Sequence, residues 1–170
     1  PSLTSTICAH RCQNKCSRNF YDESVHIRDT KLVAAEHGYG ALMASLKPTA
    51  KLPGKKAAII GGGPTGIAAA YFLARGGVET TIFEREAKLG GVPRYVIPAF
   101  RISDEALDKD VALMERLGVE VKCGAPAPSV EALKKLGYTH ILMATGAWQA
   151  GELGIPGNVK GVIGWVKERK

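Results

Sequence analysis

Apolar residues follow two different spacings along the middle of the chain. Residues 57–60 form a short apolar run typical of a buried strand, and residues 79–83, which end in Ile82 and Phe83, are predicted to return as a second strand. Between them, Gly76 ends a segment in which apolar side chains recur at helical spacing, at Ile67, Ala70, Tyr71 and Ala74. The order strand, helix, strand is typical of a parallel βαβ unit.

The same alternation continues beyond residue 100. Ser103 is a predicted N-cap, and Gly118 ends the helix that Ser103 begins. The apolar face of this helix consists of Leu107, Val111, Met114 and Leu117. A strand at residues 119–121, a short helix at 129–136 and a buried strand at 139–144 follow. This alternation predicts an α/β fold with a parallel sheet and right-handed crossovers.

The first 56 residues have a different character. Residues 1–26 are polar and predicted to be irregular, and residues 29–46 are predicted to form one helix, or two interrupted at Gly38 and Gly40. Residues 47–56 contain Pro48, Pro53 and Gly54, which cannot continue a helix. We therefore predict three regions: a cysteine-bearing helical segment at 1–46, a linker at 47–56, and a partial Rossmann-like domain at 57–170.

Charge and hydropathy exclude two classes of protein. The chain has 170 residues and a net charge of +7, but its cations are dispersed and no basic stripe is interleaved with aromatic residues, so we expect no nucleic-acid partner. Residues 57–74 carry no charge, yet three successive glycines and Pro64 argue against a membrane span. The chain begins with Pro1 and lacks a signal peptide, so we expect a piece of a longer cytoplasmic protein.

A glycine-rich turn links the first predicted strand to the first predicted helix. Gly61 would let the chain turn sharply, Gly63 would let the backbone approach a pyrophosphate, and Gly66 would let the helix pack close to the sheet. The pyrophosphate would then face a helix N-terminus, which favours anions. Glycine-rich loops also recur as ordinary turns, but the complete strand, loop, helix and strand favour dinucleotide binding.

The acid at the end of the second strand narrows the choice of dinucleotide. Glu84 lies 23 positions after Gly61, where a carboxylate can accept hydrogen bonds from the ribose hydroxyls and would repel a 2′-phosphate. NADP is therefore a poor candidate for this site, whereas FAD and NAD share the fingerprint. The pair Gly90-Gly91 follows, and its spacing alone would also permit a plain turn.

Three of the four cysteines are closely spaced. Cys8, Cys12 and Cys16 follow the pattern C-x3-C-x3-C, which suits an iron–sulfur cluster, a zinc ion completed by a histidine, or simple thiols. Cys123 stands apart, and we expect it to be a small buried hydrophobic residue at a strand end.

Several of these motifs occur in one order along the chain. They are the cysteine segment at 7–16, the glycine loop at 61–66, Glu84 with Gly90-Gly91, Ile-Pro-Ala-Phe-Arg-Ile at 97–102, and Ala-Thr-Gly at 144–146. The ordered set resembles the pyridine-nucleotide electron-input module of the glutamate synthase small subunit, the amino-terminal half of dihydropyrimidine dehydrogenase, and the selenate reductase type, the last being the most similar.

The resemblance implies a function and a set of residues. NADPH would deliver hydride to FAD, and electrons would leave through [4Fe-4S] clusters, with Cys8, Cys12 and Cys16 as cluster ligands. Glu84 would hold the ribose, and Arg101 would contact the flavin half or the phosphates, unless it merely pairs with Asp104. The implied cofactor-binding residues are Gly61, Gly62, Gly63, Pro64, Thr65, Gly66, Glu84, Arg85, Gly90, Gly91, Val92, Arg101, Ala127, Thr145 and Gly146.

Two functions remain open at this point. The first is a fragment of a flavin and iron–sulfur oxidoreductase whose partner is the rest of the same polypeptide or an acceptor subunit. No second glycine fingerprint follows Gly146, so its NADPH site would lie outside this chain, and the isolated chain would be inactive. No catalytic side chain is expected, because the flavin performs the redox step. The alternative is a non-enzymatic nucleotide-binding module with a zinc-binding cysteine segment that docks a partner.

Overall fold

The computed structural model describes residues 2–147, and an all-parallel four-stranded sheet forms its centre. The strands are β1 (Lys56–Ile60), β2 (Glu79–Glu84), β3 (Glu120–Cys123) and β4 (His140–Met143). The helices are α1 (Ser2–Thr6), α2 (Ile27–Ser45), α3 (Pro64–Arg75), α4 (Val92–Tyr95), α5 (Asp104–Glu115) and α6 (Val130–Lys135), with short 3-10 helices at Gln13–Lys15 and Ser17–Phe20. The predicted α/β fold with a parallel, Rossmann-like sheet is confirmed.

The strand order places β1 and β2 at the centre. The order is β3-β2-β1-β4, with Ile59 aligned with Ile82 and Ile60 aligned with Met143. β1 and β2 are almost wholly buried, as the apolar run of residues 57–60 predicts for β1, because helices cover both faces of a parallel sheet. Because every strand is parallel, all four carboxyl ends lie at the same edge of the sheet.

Helices cover both faces of the sheet. On one face, Ile59 and Ile82 pack with residues of α3 and α5, including Met114, which is fully buried. On the other face, Ala58 and Phe83 pack with Leu133 of α6 and with Tyr138. Adjacent strand residues belong to different clusters because side chains alternate across a strand.

The two outer strands correct two sequence expectations. β4 was expected to be buried, yet Leu142 is 38% and Met143 is 62% exposed. Cys123 was expected to be a buried hydrophobic residue, yet it is exposed at the end of β3. Both expectations were wrong for the same reason: these strands lie at the edges of the described sheet, and an apolar run does not reveal its position in the strand order.

The amino-terminal segment is more regular than its sequence suggests. Ser2–Thr6 is helical, so the expectation of an irregular start was wrong. α2 continues without interruption through Gly38 and Gly40, which selects one helix from the two alternatives that the sequence left open. A glycine in an exposed helix costs about 1 kcal/mol relative to alanine, which the good helix formers around it offset. Within residues 2–147, no helix combines the length and the apolar character that crossing a membrane requires.

Side chains from α5 and α2 attach α1 to the rest of the protein. The carboxylate of Asp110 accepts hydrogen bonds from the backbone N–H groups of Ser2, at 2.8 Å, and Leu3, at 3.0 Å. Arg28 donates to the Thr6 carbonyl at 3.0 Å. The amino-terminal segment is therefore anchored on α5, a helix more than a hundred positions away in the sequence.

Candidate functional site

The glycine loop leaves β1 and enters α3 with no room for side chains at two positions. Gly61 has a φ of +108°, and a Cβ there would lie 2.4 Å from the Ala144 carbonyl oxygen. A Cβ on Gly66 would lie 2.0 Å from the Gly61 carbonyl oxygen. Gly61 therefore permits the turn beside the end of β4, and Gly66 permits the close approach of the helix to the loop.

Gly63 differs from these two glycines, because a Cβ there would meet no crowding. Its nearest neighbour would be the Cα of Gly91, at 3.8 Å. Gly63 is the N-cap of α3 and has no side chain with which to cap the helix, and Pro64 occupies the first helical position. The first-turn N–H groups of a helix lack intrahelical partners, so this terminus suits an anion.

The second glycine pair lies directly against the first loop. The Gly90 N–H donates to the Gly62 carbonyl at 2.8 Å. Gly91 has a φ of +57°, and a Cβ on it would lie 2.8 Å from the Cα of Gly63. Two glycine-rich turns, separated by β2 in the sequence, thus form one continuous backbone surface.

Glu84 ends β2 beside the glycine loop. It is only 6% exposed, and its Oε2 accepts a hydrogen bond from the Gly62 N–H at 2.6 Å. Its Oε1 accepts from the Glu86 N–H at 2.9 Å. An ionised carboxylate offers about four acceptor positions, so further donors, such as ribose hydroxyls, can still bind these oxygens.

These elements surround a cleft of about 870 Å³ at the carboxyl edge of the sheet. The sequence-predicted residues that line it are Gly61, Gly63, Pro64, Thr65, Glu84, Arg85, Gly91, Val92, Ala127, Thr145 and Gly146. Gly62, Gly66 and Gly90 are buried and do not line the cleft. The strand order β3-β2-β1-β4 has its topological switch point between β1 and β4, and the cleft lies at the carboxyl ends of these strands. Ligands of open parallel α/β sheets usually bind at this position.

Several lining residues were missed by the sequence reasoning. They are Ile7, Ile60, Phe83, Pro93, Ile97, Pro126, Met143 and Ala144. Phe83 and Met143 stand near the carboxyl ends of parallel strands, and this position was a usable signal. Ile7 had no such signal, because only the docking of α1 brings it to the cleft.

Arg101 is the predicted cofactor residue that lies apart from the others. It is exposed and does not line the cleft. Asp104, its suggested alternative partner, forms an ion pair with Arg94 instead, at 3.0 Å. Arg94 is a buried residue that the sequence reasoning passed over.

The three closely spaced cysteines are free thiols. Cys8 and Cys16 are partly buried and Cys12 is exposed. A hydrogen bond from the His10 backbone lowers the pKa of the Cys8 thiol, and hydrogen bonds from the Val25 and Arg18 backbones lower that of Cys16. Within residues 2–147, no three His, Cys, Asp or Glu side chains converge so that they could hold a metal ion. Cluster ligation by these cysteines stays a prediction.

Comparison with known proteins agrees with this geometry. Residues 55–168 match the family model described as pyridine nucleotide-disulphide oxidoreductase. Among solved structures, a 2-naphthoyl-CoA reductase in complex with 2-naphthoyl-CoA has a TM-score of 0.55 and 22% sequence identity, covering 75% of this chain and 20% of that one. The structural likeness supports the fold alone.

Curated relatives include the protein YgfK of Escherichia coli (strain K12), 42% identical over 86% of this chain and 14% of the relative. The glutamate synthase [NADPH] small chain of Mycobacterium tuberculosis (strain ATCC 25618 / H37Rv) is 32% identical over 92% of this chain and 33% of the relative. The NADPH-Fe(3+) oxidoreductase subunit beta of Geobacter sulfurreducens (strain ATCC 51573 / DSM 12127 / PCA) is 32% identical over 98% and 25%. This chain thus spans about a third or less of their lengths, and the sequence resemblance is confirmed: the chain belongs to the pyridine nucleotide-disulphide oxidoreductase family.

Proposed function

We propose that this chain is the FAD-binding part of an oxidoreductase in which NADPH reduces FAD and electrons leave through [4Fe-4S] clusters to an acceptor. One observation carries the proposal: a bare glycine surface at the N-terminus of α3 and the carboxylate of Glu84 face the same cleft. This combination suits the pyrophosphate and the ribose of an adenine dinucleotide.

Residues along the cleft would bind successive parts of FAD. The pyrophosphate would lie against Gly63 and the start of α3, where no side chain fills the space. The ribose would bind Glu84, and the adenine would lie toward Ala127, on the side of the sheet that carries β3. The other half of the dinucleotide would then extend toward Thr145, beyond β4, along apolar walls.

The bound flavin would supply the conversion of a two-electron hydride into single electrons. The chain's own residues would bind and orient it. Glu84 would select the adenosine, since its carboxylate accepts hydrogen bonds from hydroxyl groups and repels a 2′-phosphate. Apolar cleft residues such as Ile97 and Met143 would exclude water from the flavin half.

NADPH as the electron donor is supported by the names of two relatives, a glutamate synthase [NADPH] small chain and an NADPH-Fe(3+) oxidoreductase subunit. The repulsion expected from Glu84 assigns NADPH to a different site from the one described here. The acceptor would be reached through the rest of the same polypeptide or through an acceptor subunit, with Cys8, Cys12 and Cys16 as cluster ligands.

Nucleotide titrations of the purified chain test this proposal. We expect FAD and AMP to bind. Adenosine 2′,5′-bisphosphate, which differs from AMP only by its 2′-phosphate, should bind more weakly than AMP by about tenfold or more, because like charges would meet at Glu84. The variant Glu84→Gln should narrow that difference. Equal affinity for the two adenine nucleotides would contradict the assignment of Glu84, and absence of FAD binding would contradict the function.

Two further measurements separate the flavin and iron–sulfur function from the alternative. The isolated chain should retain FAD weakly and should not oxidise NADPH, so rapid NADPH oxidation would contradict the assignment of the NADPH site to another region. After anaerobic incubation with iron and sulfide, any cluster bound by the cysteines would give a broad visible absorbance. A colourless chain that retains zinc would support the non-enzymatic module.

A further inference from the structure

We infer that Arg94 is a positioning residue that holds the second glycine turn, residues 88–91, in the shape required by the proposed FAD site. The inference rests on the proposed function. Arg94 does not itself line the cleft, so it acts through the turn and not by contact with the cofactor.

The guanidinium of Arg94 joins the turn to helix α5. Its side chain is 5% exposed. Its Nε donates to the Leu89 carbonyl at 2.5 Å. Its Nη1 lies 3.0 Å from Oδ1 of Asp104, and its Nη2 lies 2.5 Å from Oδ1 of Asp108. One planar cation thus links a carbonyl of the turn to two carboxylates on one face of α5, a geometry that the donor fork of arginine allows.

The turn that Arg94 holds touches the glycine loop, residues 61–66, at two points. Gly90 donates its N–H to the Gly62 carbonyl, and Gly91 lies so close to the glycine loop that a Cβ on Gly91 would be 2.8 Å from the Cα of Gly63. The stem of Arg94 packs over Gly90, where a Cβ would lie 2.7 Å from that of Arg94. Movement of Arg94 would therefore be transmitted through the turn to the cleft wall.

A second side chain of α4 holds the other end of the same turn. The Tyr95 hydroxyl donates to the Lys88 carbonyl at 3.1 Å and accepts from the Lys88 N–H at 3.0 Å. This contact is independent of α5. Loss of Arg94 should therefore loosen the turn near Gly90 without releasing it completely.

Direct attraction between Arg94 and the phosphates is a poor explanation of its role. Two carboxylates neutralise its charge, and both are more than half exposed, at 59% for Asp104 and 58% for Asp108. If Arg94 is removed, these carboxylates can be hydrated where they stand. The fold should then survive, and the turn should lose its attachment to α5.

The test compares Arg94→Met, which keeps the length of the side chain but loses its donors, with Arg94→Lys and the control Arg116→Met. Arg116 is an exposed residue at the end of α5. We expect the Arg94→Met variant to exchange the Gly90 amide about tenfold faster than the wild type while the amides of β1 keep their protection. FAD should bind about fivefold or more weakly. The control should match the wild type in both measurements.

Arg94→Lys keeps the charge, but one ammonium cannot reach all three acceptors, so its Gly90 amide should exchange at a rate between those of the wild type and Arg94→Met. If Arg94→Met fails to fold, Arg94→Lys takes its place in the comparison. Unchanged Gly90 exchange, or FAD affinity equal to that of the wild type, would overturn the inference. Equal acceleration at Gly90 and in β1 would also overturn it, since that result describes a general loss of stability. Failure of the wild type to bind FAD would instead refute the proposed function, and the Gly90 exchange would still report whether Arg94 holds the turn.

Discussion

Alanine substitutions at Gly63 and Gly66 should separate folding from cofactor binding within a single loop. The two glycines are three positions apart in one fingerprint, yet a methyl group at each would meet very different surroundings. At Gly66 it would lie 2.0 Å from the Gly61 carbonyl oxygen, whereas at Gly63 its nearest neighbour would be 3.8 Å away. One position is filled by the protein itself, and the other faces the cleft.

The expected cost at Gly66 is one of stability. Ordinary contact would require α3 to move away from the loop by more than about 1 Å. Overpacking of this kind costs about 1–3 kcal/mol, and the better helix propensity of alanine offsets about 1 kcal/mol of it. The net range is therefore about 0–2 kcal/mol. We expect Gly66→Ala to lower the free energy of unfolding by an amount near the upper end of it, because the clash is with a backbone oxygen, which cannot rotate away.

The expected cost at Gly63 is one of binding. Its φ of −76° suits any residue. Alanine is a poorer N-cap by about 0.5–1 kcal/mol, and the reduced entropy of the unfolded chain returns about 0.4–1 kcal/mol. Stability should then change by less than about 0.5 kcal/mol, whereas a methyl group in the space of the pyrophosphate should weaken FAD binding by about tenfold, or about 1.4 kcal/mol.

The assay measures both quantities on both variants. Urea unfolding followed by circular dichroism gives the free energy of unfolding, and quenching of flavin fluorescence gives the FAD dissociation constant. The reasoning would be refuted if Gly63→Ala unfolded as easily as Gly66→Ala, or if it bound FAD as well as the wild type. The first result would mean that the protein itself crowds Gly63, and the second would mean that Gly63 does not face the bound pyrophosphate.

Three further outcomes follow from individual contacts. Tyr138→Phe removes the buried hydroxyl that donates to Thr81 Oγ1 at 2.9 Å, so it should lower the free energy of unfolding, measured by urea titration, by about 1 kcal/mol. The same substitution at exposed Tyr21 should leave the free energy of unfolding unchanged. Because backbone hydrogen bonding lowers the Cys8 pKa, its thiolate should form at lower pH than that of free cysteine. The rate of Cys8 alkylation, measured by mass spectrometry across a pH series, should therefore reach its midpoint at a lower pH than that of free cysteine, and a midpoint at or above that of free cysteine would contradict this. Asp110→Asn leaves one acceptor oxygen for two amides, so hydrogen exchange in residues 2–8 should accelerate, and unchanged protection would show that the carboxylate does not anchor α1.

The glycine loop at residues 61–66 could be predicted from sequence because its requirements are local. Gly61 needs a positive φ and Gly66 needs close packing within a few residues of each other, so both leave a glycine in the sequence. Glu84 follows from the same logic, since the end of the second strand lies beside the loop in any right-handed βαβ unit. The cap at Ser103 is equally local, and its side chain accepts the expected N–H hydrogen bond from Ala106.

Features that depend on distant parts of the chain were predicted wrongly or were missed. The burial of Cys123 depends on whether β3 is central or at an edge, which strand pairing decides. The partner of Asp104 depends on competition between two arginines, and tertiary packing favours Arg94 over Arg101. Ile7 reaches the cleft only because α1 docks on Asp110.

The amino-acid sequence by itself determined the succession of strands and helices, the glycine turn between β1 and α3, and the acid at the end of β2. Each depends on backbone preferences and apolar spacing within a few turns of chain. Tertiary structure alone decided which strands lie at the edges, which arginine is buried, and how the second glycine turn meets the first. Those outcomes depend on contacts between residues far apart in sequence, and such contacts leave no local pattern of side chains to be recognised.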